Sequence, residues 1–415
     1  MLEAFLLSLA VLALLSIVFE EVTHINKAKT TLFLGCLSWL ILFITADGES
    51  GQRLVQHQLD ENLLEIATLW LFLMATMTFV AYLNAKGMVQ AAVQKVFPQQ
   101  LSKKLLMGMV AIFSLLLSAI CDNVTATLVS LGLVAAFNLD KATRLKMATL
   151  VVFAVNSGGV ALITGDVTTL MIFLEGHVHM QELLLLLVPS VISVLLLAWF
   201  FSWGVTGELT SEHVEQTFHP VDIAIAVIFF STIICTMLFN VLFGVPPVLT
   251  FLLGLSVMFL VGRSSRTDAQ ETKILEYIRK VEYDTLLFFL GILLLVGMLK
   301  EIGVLTMAAD LYAQFDPRLS NYVAGIISAL LDNVPLTAAL LKADPTLSTP
   351  EWLALTYAVG VGGSLLSIGS AAGIIAMSKV EGMTFVSYLR YFPALLLTYS
   401  IGYGIALLLA QYFYG

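Results

Sequence analysis

The chain has 415 residues, of which 59% are hydrophobic and 12% charged, with a mean hydropathy of +0.95. Soluble domains carry about 25% charged residues, so an ordinary water-soluble enzyme is excluded and an all-α polytopic membrane protein is implied. The net charge of −9 and a pI near 5.1 argue against a nucleic-acid partner.

Apolar windows mark spans near 4–19, 30–46 and 63–83, each long enough to cross a hydrocarbon core of about 30 Å. The first could pass for a signal peptide, but it lacks a basic n-region and a cleavage site and carries Glu3, so it reads as a retained span. Residues 85–96 (AKGMVQAAVQKV) have apolar positions at helical spacing, the pattern of a helix lying along the interface. Next come 105–138, with Asp122-Asn123-Val124 at its middle, the glycine-interrupted stretch 145–174, and a closing span at 183–203. After a connector at 204–220 the series recurs: spans 221–243, 247–262 and 283–299, and the amphipathic 301–312 (EIGVLTMAADLY). Then follow 318–343 with Asp332-Asn333-Val334, an interrupted 351–377, and a closing span at 391–413. Helix is the expected structure throughout, because lipid leaves no partner for unpaired backbone groups.

Loop charge predicts the orientation. Loops 20–30, 84–104, 138–146, 262–282 and 378–390 hold 16 of the 20 Lys and Arg; only Arg53, Lys300, Arg318 and Lys342 lie elsewhere. The first group is expected in the cytoplasm, with both termini outside. Segment 105–138 is flanked by basic loops on both sides, so it should enter and leave from one face as a re-entrant hairpin. Segment 318–343 is flanked by two exterior loops and should enter from the other. Two inverted repeats follow, 1–204 and 221–415, joined by a connector at 205–220. Each holds three spans, an interfacial helix, a re-entrant hairpin, a broken helix and a closing span.

A carboxylate inside an apolar span is costly, and in transporters it marks an ion or proton path. The interrupted spans read VNSGGVALITGDVTTL (155–170) and VGVGGSLLSIGSAAGI (359–374). Gly158-Gly159 align with Gly362-Gly363, and Gly165 with Gly369. Glycines in membrane helices can be mere close-packing points. These ones coincide with Asn156, Ser157, Thr164, Asp166, Thr168, Ser364, Ser367 and Ser370, as expected of unwound helices that offer oxygens to ions. Asp166 aligns with Ser370, so the centre holds three candidate carboxylates: Asp122, Asp166 and Asp332. No Lys or Arg lies in the middle of any hairpin arm or interrupted span. Carboxylates, amides and hydroxyls suit a hard cation such as Na+, and clustered carboxylates also suit proton exchange. No cofactor is called for.

The remaining polar groups carry less. Glu65, inside the third span, reads as a snorkelling end residue or an outer proton gate; Glu20, Glu21 and His24 as a solvated turn; Asp284 as a helix-start residue. All six histidines fall in predicted loops. Cys36, Cys121 and Cys235 have no metal-ligand spacing and read as inert core thiols.

Together FEEVTHINKAKT, CDNVTATL, NSGGVALITGDVTT, LDNVP and GGSLLSIGSAAG resemble the NhaD-type sodium/proton antiporters of the ion transporter superfamily. The resemblance covers nearly the whole chain. It implies exchange of sodium, and lithium, for protons across a bacterial inner membrane. It also implies a homodimer working by an elevator movement of the hairpins and broken spans. Carried over residue by residue, it assigns Asp122 and Asn123 to the first hairpin motif and Asp332 and Asn333 to the second. Asn156, Asp166 and Thr168 fall to the first broken helix, Ser364 and Ser367 to the second. One departure is Ala126-Thr127 where paired threonines are expected, which leaves open whether Thr125 or Thr127 supplies the hydroxyl. Two rivals remain in view, an organic-anion or oxyanion carrier of the same fold and an ion channel. An intramembrane aspartyl protease would leave the duplicated hairpins unexplained.

Overall fold

Helices come first because the chain is apolar in long runs. In this computed structural model, which describes residues 2–18, 26–46, 48–88, 100–135, 137–210, 218–264, 276–281, 283–304, 314–331 and 333–415, they account for most of the backbone. In chain order they are α1 (Leu2–Val18), α2 (Lys27–Thr45), α3 (Gly48–Ala85), α4 (Lys103–Ile120), α5 (Asn123–Ala135), α6 (Lys141–Gly159) and α7 (Val167–Leu174). Then follow α8 (Met180–Leu183), which continues through one 3-10 turn into α9 (Leu187–Ser202), then α10 (Pro220–Phe243), α11 (Pro247–Ser264) and α12 (Tyr283–Glu301). The last six are α13 (Pro317–Leu331), α14 (Asn333–Ala343), α15 (Thr349–Gly362), α16 (Ala371–Lys379), α17 (Phe385–Leu389) and α18 (Phe392–Tyr414). Among the described residues, seven helical stretches are long and apolar enough to cross a membrane: α2, α3, α4, α8–α9, α10, α12 and α18.

Both interrupted spans break where the glycines and polar residues lie, between α6 and α7 and between α15 and α16. Residues 147–161 and 352–365 are buried without a gap. A helix apolar all round belongs at the centre of a bundle, and α6 and α15 occupy it. Asp140 caps α6 by accepting from the Thr143 amide, and a Ser348–Glu351 capping box starts α15.

Segment 105–138 runs out and back. Lys103, at the start of α4, bonds Asp140, just past the end of α5, at 2.8 Å. The far end of α4 reaches the far end of α6, where a Cβ on Gly158 would stand 2.0 Å from Leu115 O. The second hairpin repeats the plan. The Asn321 amide near the start of α13 donates to Glu351 O near the start of α15, at 2.8 Å. Further along, a Cβ on Gly362 would stand 2.0 Å from Gly325 O in the middle of α13, and one on Gly369 2.5 Å from Ala329 O near its far end.

The packing partners recur too. α4 lies on α6 as α13 lies on α15; α6 on α9 as α15 on α18; α5 on α16 as α14 on α7. The earlier spans exchange partners, with α2 against α12 and α3 against α11. Glycine permits the first of these crossings, since a Cβ on Gly291 would stand 2.3 Å from the Leu32 amide. Two indoles pin α12 in place: Trp39 donates to Leu294 O at 2.9 Å and Trp70 to Leu286 O at 2.8 Å.

Three features depart from the expectations. The third span belongs to a 38-residue helix that begins at Gly48, so the polar stretch read as an exterior loop is a helical extension. His57 therefore sits on a helix, exposed and paired with Glu61 four residues on, a spacing that supports helix where no apolar face does. A two-stranded antiparallel ladder joins Gln100–Ser102 to Glu208–Thr210, with Gln100 opposite Thr210. Glu20, Glu21, His24, Asp332 and most of the segments 85–96 and 301–312 lie outside the described residues.

Candidate functional site

A cavity of about 180 Å³ lies where six helices begin. Its wall is made of Asn26–Ala28 at the start of α2, Asp122–Val124 at α5 and Gly165–Val167 at α7. Asp284 and Thr285 at α12, Asn333 and Val334 at α14, and Ser370 and Ala371 at α16 complete it, with Leu73, Met77, Phe288 and Phe289 as the apolar part. Each helix start carries roughly half a positive charge and unpaired N–H groups, an arrangement that by itself draws anions. This chain supplies the anions from its own backbone neighbours.

Asp122 Oδ1 accepts from the Thr125 amide at 2.9 Å, and Oδ2 from the Thr125 hydroxyl at 2.9 Å. Thr125 thus faces Asp122, while the Thr127 hydroxyl donates to Asn123 O at 2.6 Å. Asp166 caps α7 through the Thr168 amide at 3.1 Å, and its other oxygen accepts from the Asn333 amide at 3.1 Å. Asn333 belongs to the second hairpin and Asp166 to the first broken span, so that bond joins the two halves 167 residues apart. Asn123 Oδ1 accepts from Ser118 at 2.7 Å. It also faces Gly159, whose Cβ would meet it at 2.8 Å and the Asp166 Cβ at 3.0 Å.

The other expected ligands are distributed unevenly. Asn156 donates to Val152 O at 2.9 Å and to Ser370 Oγ at 3.1 Å, a second link between halves. Thr164 donates to Ala119 O at 2.8 Å, bracing the break against the hairpin tip. Ser364 donates to Val361 O, and its own carbonyl accepts from the buried Tyr388 hydroxyl. Asn156 Oδ1, Ser157 Oγ, Thr168 Oγ1 and Ser367 Oγ are buried with no hydrogen-bond partner among the described residues. Such atoms are costly in a core and are available as oxygen ligands near the two breaks. Of the three expected carboxylates, Asp122 and Asp166 share the cavity; Asp332 lies outside the described residues. Among the described residues no three His, Cys, Asp or Glu side chains form a metal cluster.

Two residues gain weight that their sequence position did not give. Asp284 does begin a helix, yet it also lines the cavity and accepts from Asn26 at 3.1 Å. Lys27 lines the same wall with its ammonium 4.8 Å from the Phe288 ring. The signal was the FEEVTHINKAKT motif, which ends at this rim. A neighbouring cavity of about 230 Å³ shares Asp122 and Met77 and runs past Thr125 to Asn84, Ala85 and Val281.

Glu65 is elsewhere. It pairs with Lys342 near the end of α14, in a separate cavity of about 250 Å³ that also holds Glu175. Burial, with the Glu65 charge next, raises the Glu175 carboxyl above its ordinary range.

The profile of the citrate transporter family matches residues 8–360. The Na+/H+ antiporter NhaD of Vibrio parahaemolyticus is 30% identical over 407 residues, covering 90% of this chain and 98% of that protein. The NhaD antiporter of Vibrio cholerae is 30% identical, covering 95% and 89%. Sodium/proton antiporter 1 of Arabidopsis thaliana is 28% identical, covering 95% and 72%.

Proposed function

Because the chain belongs to the citrate transporter family and, within it, to the NhaD-type sodium/proton antiporters, we propose that it exchanges sodium, and lithium, for protons by alternating access. It is a multi-pass membrane transporter, not an enzyme. The observation that carries the reading is the Asp166 carboxylate. It stands at a helix start inside the cavity, where it caps α7 by accepting from the Thr168 backbone N–H and also accepts from the Asn333 side chain of the other half. A carrier of citrate would leave these helix starts free for the substrate's carboxylates. Here Asp122, Asp166 and Asp284 already stand at three of them, so the occupant that balances the site is a cation or a proton.

The transport cycle follows from competition for those oxygens. Sodium draws its ligands from Asp122, Asn123, Asn156, Asp166, Thr168, Asp332, Asn333, Ser364 and Ser367, with Ser157, Thr125, Thr164 and Ser370 as secondary candidates. Protonation of the carboxylates releases it. The recurring packing of hairpin on broken helix supports two inverted repeats, 1–204 and 221–415. With both termini outside, the rim at Asn26, Lys27 and Asp284 faces the cytoplasm, and the Lys342–Glu65 pair closes the exterior side. The protein then works as a homodimer in a bacterial inner membrane, its hairpins and broken spans moving as one elevator.

Purified protein in liposomes, assayed for proton flux on addition of sodium, lithium, potassium or citrate across pH, tests the reading. Sodium and lithium are expected to move protons, and potassium and citrate are not. A response to citrate alone, or to no cation, would overturn it.

A further inference from the structure

The central cavity and the separate cavity that holds Glu65, Glu175 and Lys342 are lined by the same four helices. On α3, Leu73 lines the first and Leu69 the second; on α12 the pair is Phe289 and Leu293. On α14 it is Val334 and Ala338, and on α7 it is Val167 and Met171. Each pair is four residues apart, which is about one helical turn and about 6 Å of rise. Since α12 packs on α3 and on α14, and α14 on α7, the two cavities lie end to end along one interface. Both α7 and α14 begin at the central cavity, where Asn333 donates to Asp166 at 3.1 Å, and both reach the second with their far ends, at Glu175 and Lys342.

The wall changes character along this line. The central cavity offers carboxylates and amides. The turn between the cavities is bounded by apolar side chains, all of them buried except the half-buried Val167. Beyond it the wall is polar again, with Thr68, Glu175 and the Lys342–Glu65 ion pair. An apolar layer gives a bare cation no oxygen ligand and a lone carboxylate no counter-charge, so either crosses it only as an uncompensated charge. A carboxylate that carries sodium or a proton is neutral and crosses at lower cost.

We infer that the cavity of Glu65, Glu175 and Lys342 is the outer mouth of the sodium path, and that the apolar turn shared by α3, α7, α12 and α14 is the barrier between that mouth and the Asp166 site. This rests on the sodium/proton reading above and deepens it. The ligands choose the ion, and the layer keeps Asp166 from returning empty, so that sodium and protons exchange instead of leaking.

Cysteine labelling tests it. Thr68→Cys in the outer cavity, Met77→Cys in the central one and Leu71→Cys on the exposed apolar side of α3 are treated with a membrane-impermeant cationic thiosulfonate. The reagent is added to right-side-out or inside-out vesicles, and modification is read at each site by mass spectrometry. Thr68→Cys is expected to react from one face only, Met77→Cys from the opposite face only, and Leu71→Cys from neither. Modified Thr68→Cys is expected to lose sodium-driven proton flux. Reaction of Thr68→Cys and Met77→Cys from the same face, no reaction at Thr68→Cys, or unchanged flux after its modification would overturn the inference while leaving sodium/proton exchange intact. Should Thr68→Cys not fold, Ala338→Cys on the facing helix takes its place. Leu69→Asn, which puts an amide in the layer, is expected to let radioactive sodium leave loaded vesicles without a proton gradient; a folded variant as tight as wild type would overturn the role of the layer. No sodium-driven proton flux from the wild type would overturn the exchange reading itself.

Discussion

Gly158→Ala isolates the contact that registers the first hairpin on its broken helix. The new Cβ would stand 2.0 Å from Leu115 O, 2.8 Å from Leu115 C and 2.9 Å from Leu115 Cα. All three are backbone atoms of α4, so no side chain can turn aside, and α4 must retreat by roughly 1 Å to regain van der Waals distance. Overpacking of this kind costs about 1–3 kcal/mol. Gly132→Ala is the matched control, on the same hairpin but with nothing within 4 Å of its Cβ. There the helix gains about 0.5–1 kcal/mol from the lost backbone freedom of glycine. The two variants are therefore expected to separate by about 1.5–4 kcal/mol in opposite directions. Thermal melting of detergent-purified protein reads the stability, and sodium-driven proton flux reads whether the Asp122 tip has lost register with the α6–α7 break. Equal melting temperatures for the two variants would refute the close approach of α4 and α6.

Three further outcomes follow from named contacts. Lys103 beside Asp140, then the Thr143 bonds, hold the Asp140 carboxyl well below the usual carboxylate range. Its contribution is thus present above its unfolded pKa and is lost as pH falls through the folded value. Asp140→Asn should therefore lower the melting temperature at neutral pH, by an amount that shrinks at strongly acid pH and in high salt; a pH-independent gap would contradict this. Trp39→Phe removes the N–H that meets Leu294 O and should cost about 1–3 kcal/mol, while the exposed Trp203→Phe should cost little; equal melting points would sink the pin. Lys342→Ala and Glu65→Gln are expected to show a coupling of about 1 kcal/mol in a double-mutant cycle, because each removes the other's partner. Strict additivity would say the ion pair contributes nothing.

The sequence made some features legible and hid others for physical reasons. Apolar length revealed the spans, and Gly158-Gly159 and Gly362-Gly363 marked both breaks, because a helix that must unwind and pack closely leaves glycine behind. The basic flanks of 105–138 signalled that its two ends lie together, as the paired Lys103 and Asp140 do. The helical extension before residue 63 was hidden because Glu49 to Glu61 read as a solvated loop; polar helices have no apolar period to detect. The Asn26–Asp284 bond spans 258 residues and Asn333–Asp166 spans 167, and pairings so far apart leave no local signal. The Asp166/Ser370 asymmetry was visible in the aligned breaks. The reach of the Asn156 amide to Ser370, 214 residues on, left no such trace.

The central claim is that the Asp166 carboxylate serves sodium and proton in turn. Radioactive sodium uptake into proteoliposomes under an imposed pH gradient tests it most directly, with wild-type protein beside an Asp166→Asn variant that keeps the wild-type melting temperature. The account predicts uptake that follows the gradient and reverses with it in the wild type, and neither in the variant. Undiminished gradient-driven uptake by Asp166→Asn would contradict it.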